Sequence, residues 1–451
     1  MKKKIFLVSI LFFLYSLIAT QDAFAVTVTT DTQLENALNN EEPVITLASS
    51  IDYYGFLDID YDLTLNATST DIVLKCCSAN PNFINIKDGG TLTLSDITID
   101  LESWMSTTIM NAIGVQSGGK IYYDGAILVG GSSNYGIEVF DGGRAEIKSG
   151  EINSFFKGIV VNESGELEFL DDCNINILNG RFGVTFESYE GTCDFDEPGI
   201  VIKGNNSGIV MSTGAGVVKI SDGTCSNNTC SVIQANNSGV CNITGGTFNN
   251  NWVGIYQRGT TLTISDCVSN NNTYGIYLES GYNGKMTLLG GDITNNTTGC
   301  IYHGQVNDGA CTVLGGEMSG YIVLAQTTNY VNTDDSLLPL SVRPTGLGYT
   351  AGRKLVRTPS NAVANQEIAN VTLYPKSGWT TQVQDEYIVL LNGGRIIINC
   401  VDEADNSVIK TEIKSGTIGD TYTFTDILID GYELVTRPAQ TSLAFTAADQ
   451  T

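Results

Sequence analysis

Histidine is almost missing from this chain, occurring once, at His303, and the cysteines stand at no zinc-like spacing. No zinc site is therefore expected from the sequence. Basic residues are also scarce: 23 Lys and Arg face 49 Asp and Glu, for a net charge of −26. Such a surface repels nucleic acid and anionic membranes. Only 8 prolines and 16% charged residues accompany 49 glycines. That is a folded, turn-rich β composition and not an acidic disordered chain.

Long apolar runs are lacking too. Residues 5–18 form one, but a bilayer needs about 20. Three lysines precede it, and Ala23-Phe24-Ala25 follows as a small-x-small cleavage site. Residues 1–25 are thus expected to be a secretory signal peptide, and the mature chain secreted or on the cell surface. No membrane insertion of the mature chain is expected.

What is abundant is repetition. NNNWVGIYQ (249–257) is nearly rewritten as NNNTYGIYL (270–278) and NNTTGCIYH (295–303). Anchored on the first apolar residue of the Gly-Ile-like pair, the series runs Ile113, Ile137, Ile159, Val184, Ile209, Val232, Ile255, Ile276, Ile301, Ile322. Each anchor follows the last by 21 to 25 residues, the period of a solenoid. Within a unit, Leu262 and Ile264 alternate with threonines, and Ile276 and Leu278 with Tyr277 and Glu279. Period-two alternation bounded by Gly and Asn reads as short half-buried strands. Stacked in register at about 4.8 Å, they make a right-handed parallel β-helix, all-β, expected over residues 26–325. Ten or more rungs would form a rod about 50 Å long.

The Asn pairs fall at one corner of each coil, where the chain turns through left-handed dihedrals that Asn tolerates. Stacked Asn side chains can also hydrogen-bond from rung to rung. A second corner carries Gly245-Gly246, Gly290-Gly291, Gly315-Gly316 and Ser149-Gly150. The same alignment puts Cys241, Leu262, Met286 and Cys311 in one inward column, and Cys225, Phe248, Val268, Ile293 and Met318 in another. Buried Cys acts as a small hydrophobe, so Cys241 and Cys311 are expected to be free thiols. Cys173 with Cys193, and Cys225 with Cys230, stand as candidate local disulfides.

At the N-terminal end, Thr32 and Glu35 satisfy a capping-box pattern and Leu34, Ala37 and Leu38 share one face. This predicts a short amphipathic helix capping the coil, with a first strand over residues 44–47. The lid followed by Gly-Gly-rich strands resembles the pectate-lyase-like adhesive domain of Gram-positive surface proteins, over residues 26–390. That resemblance implies a β-helix used for adhesion. After residue 325 the repeat fades, and residues 326–393 read as a C-terminal cap and linker. Residues 394–451 resemble a mucin-binding (MucBP) repeat, on Asp402, Glu403, Gly416, Gly419, Tyr422, Gly431, Tyr432 and Leu434. Asn399-Cys400 and Asn406 depart from that pattern, and this small β module is expected to be incomplete.

No catalytic residue is put forward. The Asp-Asp with Gly-His-Gly of polygalacturonases and the Arg-x-Pro-x-x-Arg of pectate lyases are both missing. Acids in one outward column stand about 4.8 Å apart by construction, so carboxylate spacing carries no signal in this fold. His303 reads as a packed side chain, and Arg258 with Glu279 as a surface ion pair. Asp171-Asp172 and Asp334-Asp335 are acid pairs that could hold calcium, although no Gly-Gly-x-Gly-x-Asp run accompanies them; no other cofactor is expected. Tyr256, Tyr277 and Tyr302 each follow an inward Ile on consecutive rungs, so they point outward. They are the candidate binding residues, offering ring faces to sugars; the alternative is a Tyr stack that only stiffens the sheet. The expected function is an exported bacterial adhesin, a monomer, that binds host or environmental glycans or mucin. The alternative is a polysaccharide lyase or glycoside hydrolase.

Overall fold

The computed structural model describes residues 25–77, 81–101, 110–212, 214–234, 239–259, 261–280, 284–304, 310–326, 329–333, 340–345, 349–357, 371–447 and 450–451. Residues 1–24 of the segment expected to be a signal peptide (1–25), and Asp334-Asp335, lie outside the described residues. The fold is a parallel β-solenoid of about 12 turns with a small C-terminal β module. The chain divides into two compact units: residues up to Val160 with Gly165–Leu170, and Val161–Ser164 with Asp171–Thr451.

The first unit begins with a strand that the sequence reading did not anticipate. Val26–Val28 pairs in parallel with Val44–Leu47, Val26 opposite Ile45. Helix α1, Asp31–Asn39, crosses between them and buries Leu34 and Ala37. Its cap lies two residues earlier than Thr32-Glu35. The N-cap is Thr30, whose hydroxyl accepts from the Gln33 N–H at 3.3 Å, while Gln33 Oε1 accepts from the Thr29 N–H at 2.8 Å. Both triplets fit the pattern; the earlier one puts Asp31 in the first turn, where the helix dipole favours it.

Parallel strands then stack on two faces. Leu57–Ile59, Asn82–Ile86, Asn111–Val115 and Tyr135–Val139 bring Leu57, Ile84, Ile113 and Ile137 into one buried column. Asp62–Ala67, Thr91–Ser95, Lys120–Val129 and Arg144–Asn153 stack beside each other on the other face. The coils upstream of Ile113 thus share its register, with Phe83 where later coils carry a small residue.

In the second unit the anchor column runs without a slip. Val184, Ile209, Val232, Ile255, Ile276, Ile301 and Ile322 are each paired to the next, and all are buried. The Gly before the anchor has a steric cause. A methyl at Gly208 would sit 2.4 Å from the Ser231 carbonyl oxygen of the next coil; at Gly136 in the first unit, 2.3 Å from that of Gly158. At these two glycines a Cβ would push rungs apart, whereas Ala112, Ser231 and Cys300 hold the same place in other coils.

The two asparagines of each corner divide the work. The first takes the left-handed conformation: Asn227, Asn250, Asn271 and Asn295 have φ of 52°, 56°, 55° and 54°. The second turns its amide inward and is buried. Backbone N–H groups of Asn205, Asn228, Asn251 and Asn272 donate to the side-chain oxygens of Asn228, Asn251, Asn272 and Asn296 at 2.8 to 3.0 Å. Their own amide nitrogens donate to backbone carbonyls, as Asn272 Nδ2 does to Phe248 O at 2.9 Å. Buried backbone groups that the turn would orphan are satisfied this way. At the opposite corner Gly246 has φ 83°, and a methyl at Gly245 would meet the Ser221 carbonyl oxygen at 1.9 Å.

Cys241, Leu262, Met286 and Cys311 form one buried column, register by register. The second proposed column needs correcting at Val268. That residue is half-buried and bridges Thr247 and Asp292, while Cys267 and Ser269 on either side are buried. Inward positions alternate by two, so Ser269 takes the place given to Val268; its hydroxyl donates to Gly275 O at 3.0 Å. Cys225, Cys230, Cys241 and Cys311 are free thiols, and Cys173 and Cys193 also remain thiols, so neither candidate local disulfide is formed.

Within residues 326–393, Val331–Thr333, Leu340–Pro344 and Val371–Leu373 keep the parallel pairing, with Val342 below Ile322. Arg353–Arg357 then meets Tyr387–Val401 antiparallel, and Trp379–Gln384 does the same. Tyr387–Val401 continues past Gly393 to pair antiparallel with Val408–Thr417 of the C-terminal module.

Candidate functional site

Tyr256, Tyr277 and Tyr302 are paired in register on consecutive rungs and half-buried. Their rings lie face to face: Tyr256 and Tyr277 at 5.2 Å and 2°, Tyr277 and Tyr302 at 4.3 Å and 8°. Tyr274, two residues before its anchor, sets its edge against Tyr277 and Tyr302, each at 5.4 Å. Trp252 packs at 6.0 Å from Tyr277 with the rings 38° apart, and edge to face with Tyr274 at 6.3 Å. Trp252 is 46% exposed.

Charge at this face is closed on itself. Arg258 Nε donates to Glu279, forming the ion pair expected from the sequence, and the same carboxylate lies beside the Tyr256 phenol. Burial first, then Glu279, pushes the Tyr256 phenol above its ordinary value. Burial and then the stacked Tyr302 do the same for Tyr277. These phenols are hydrogen-bonding groups at neutral pH and not bases.

His303 lies inside the coil, in register with Leu278, wholly buried. Its Nε2 is 3.2 Å from Tyr330 O, its Nδ1 has no partner, and burial lowers its pKa to about 3, with the Arg353 charge adding to the effect. A neutral imidazole sealed in the core cannot serve as a surface base. Asp171 and Asp172 are exposed. Among the described residues no group of three or more His, Cys, Asp or Glu side chains is placed to hold a metal ion.

The C-terminal module has its own small core. A methyl at Gly416 would meet the Phe445 ring at 2.1 Å, and one at Gly394 the Thr446 carbonyl oxygen at 2.0 Å. These glycines clear a path for Phe445 and Thr446 across the sheet, and Phe445 is buried there. Thr421–Thr423 pairs antiparallel with Ser442–Ala444. Gln450 bridges Ile396, its N–H donating to Arg395 O at 2.9 Å. Between the hairpin and residues 424–441 lies a cleft of about 530 Å³, with Ile398, Ile409, Phe424 and Leu434 among its lining. Arg437 closes the loop by donating twice to Asp426, at 2.6 and 2.5 Å.

Residues 395–451 match the MucBP domain. The MucBP module places its motif residues by physical role. Asp402 starts the hairpin turn, accepting from the Ala404 N–H at 2.8 Å, and Asn406 closes it at φ 58°. Gly419 and Gly431 hold φ of 97° and 83°. Tyr422 sets its edge against Phe424, and Tyr432 and Leu434 border the cleft. Over 134 residues the chain is 31% identical to Internalin J of Listeria monocytogenes serotype 4b (strain F2365). That stretch covers 28% of this chain and 14% of Internalin J, so the chain spans a small part of that relative's length. No solved structure matches the chain.

Sequence reasoning missed Trp252 and Tyr274. A signal was available for Trp252: it follows a ladder asparagine, where Thr229, Thr273 and Thr297 stand in the neighbouring coils.

Proposed function

We propose that this chain is a bacterial surface adhesin-like protein that binds glycan or mucin through its MucBP module and the aromatic face of its solenoid. The observation that carries the reading is the MucBP match over residues 395–451. The similarity to Internalin J, the signal-peptide pattern and the half-exposed aromatic cluster support it. The cleft in the module, apolar in its floor and open at the surface, has the character of a recognition site.

The test is a mucin and glycan array probed with residues 26–451. Retained signal on mucin is expected, reduced when residues 394–451 are deleted. An intact chain that binds no mucin and no glycan overturns the proposal. Release of unsaturated oligosaccharides from pectin would replace it with a lyase.

A further inference from the structure

We infer that Trp252 is the ring that contacts sugar on the solenoid face, that its ligand there is an uncharged glycan chain, and that the Tyr256, Tyr277 and Tyr302 stack is the support beneath it. This rests on the glycan-binding reading above.

The stack itself offers little to a sugar. A pyranose lies on an aromatic ring by setting its C–H face against the ring face. Both faces of Tyr277 are covered, by Tyr256 on one side and Tyr302 on the other. What the stack presents outward is ring edges and hydroxyls.

Trp252 differs on every count. It directly follows a buried ladder asparagine, and so do Thr229, Thr273 and Thr297 in the neighbouring coils. In those coils the corner is satisfied by a small polar residue. Contiguous exposed apolar patches mark contact sites, and Trp252 is the exposed member of a cluster with Tyr274, Tyr277 and Tyr302. Its backbone is fixed as well. Asn251 accepts from the Asn228 N–H through its side chain and donates its own N–H to Asn272, each at 2.8 Å. Tyr277 and Tyr274 brace one side of the indole, while 46% of the residue faces water. A rigid aromatic ring held in place loses little entropy on binding.

The ligand's charge follows from the surroundings. Arg258 is engaged by Glu279, so this cation is not offered to a uronate or sialate. The chain's net charge of −26 repels anionic polymers at longer range. Hydroxyl groups of a neutral sugar find the Tyr256 and Glu279 pair one ring along.

The experiment is a titration of residues 26–451 with neutral gluco- and galacto-oligosaccharides, against polygalacturonate and sialyllactose. Tryptophan emission and calorimetry are read together on the parent chain, on Trp252→Thr, and on Tyr277→Phe. Threonine is what the neighbouring coils hold at this corner, so that variant is expected to fold, as circular dichroism will verify. Neutral sugars should shift the emission of the parent, and Trp252→Thr should lose that shift and bind about tenfold more weakly. Tyr277→Phe, which keeps the stack, should bind nearly as the parent does. Unchanged neutral-sugar affinity in Trp252→Thr, or preference for the anionic ligands, overturns this inference and leaves the adhesin reading standing. Failure of the parent to bind any glycan or mucin overturns both.

Discussion

The backbone N–H of Asn251 donates to the side-chain oxygen of Asn272 one coil away, at 2.8 Å, and both residues are buried. Replacing Asn272 by Ala strands that N–H and removes the donor to Phe248 O. Two buried groups left without partners should cost about 2–4 kcal/mol. Its neighbour Asn271, at φ 55°, does a different job. Asn271→Ala should cost about 1 kcal/mol, because a Cβ disfavours that conformation, while Asn271→Gly should be near neutral. Urea unfolding of the three variants distinguishes the roles; equal losses at both positions would refute the division.

Where glycine precedes an anchor and faces a backbone carbonyl, as at Gly136 and Gly208, it is expected to be intolerant. Gly208→Ala directs its methyl at a backbone carbonyl and should cost about 2 kcal/mol or more. Gly114→Ala meets only the Asn82 amide, a side-chain end that can move, and should cost less. Thermal melts of the two variants, compared directly, check the ordering.

His303 predicts a limb in the pH dependence of stability. Its folded pKa of about 3 lies below the ordinary 6.5, so only the unfolded chain takes up its proton between those values. Its contribution is therefore fully present above pH 6.5 and is lost as pH falls towards 3. The loss is on the order of 4 kcal/mol. His303→Leu, which copies Leu278 in the coil before, should flatten this limb while leaving the carboxylate-driven part. Identical pH profiles for the two proteins would remove His303 from the account.

Thiol reactivity should follow burial. Cys241 is sealed in the core, and burial pushes its pKa up to about 12; Cys311 is shifted in the same direction. Both should resist iodoacetamide in the native protein and react after unfolding. Cys77 and Cys400 are only half-buried and should be modified first. Peptide mapping that finds Cys241 or Cys311 labelled in the native state would contradict the packing.

The solenoid was legible because each coil repeats the same compromise. A small residue, then Ile, then an outward side chain recurs, and ten anchors chosen from sequence lie in observed columns wherever their pairing is described. Errors came where two registers fit the letters equally. Val268 and Ser269 compete for one inward position, and only the bridge to Asp292 separates them. Thr30-Gln33 and Thr32-Glu35 both match a helix cap, and the choice depends on how α1 meets the strand at Val26–Val28. The tyrosine column was readable, but not that its rings would turn their faces to one another. That depends on side-chain torsions, which alternation does not encode. Trp252 occurs once where neighbouring coils hold Thr, so the periodicity assigns it no role.

The strand Tyr387–Val401 belongs to two sheets, pairing with Trp379–Gln384 along its first part and with Val408–Thr417 along its second. Among the described residues, one extended strand runs from the sheet of the last coils into the MucBP module. Its hydrogen bonds lie across the strand, so tension along it loads many bonds at once instead of peeling them singly. A load applied to the module would pass along this strand into the sheet of the last coils, as shear and not as peeling.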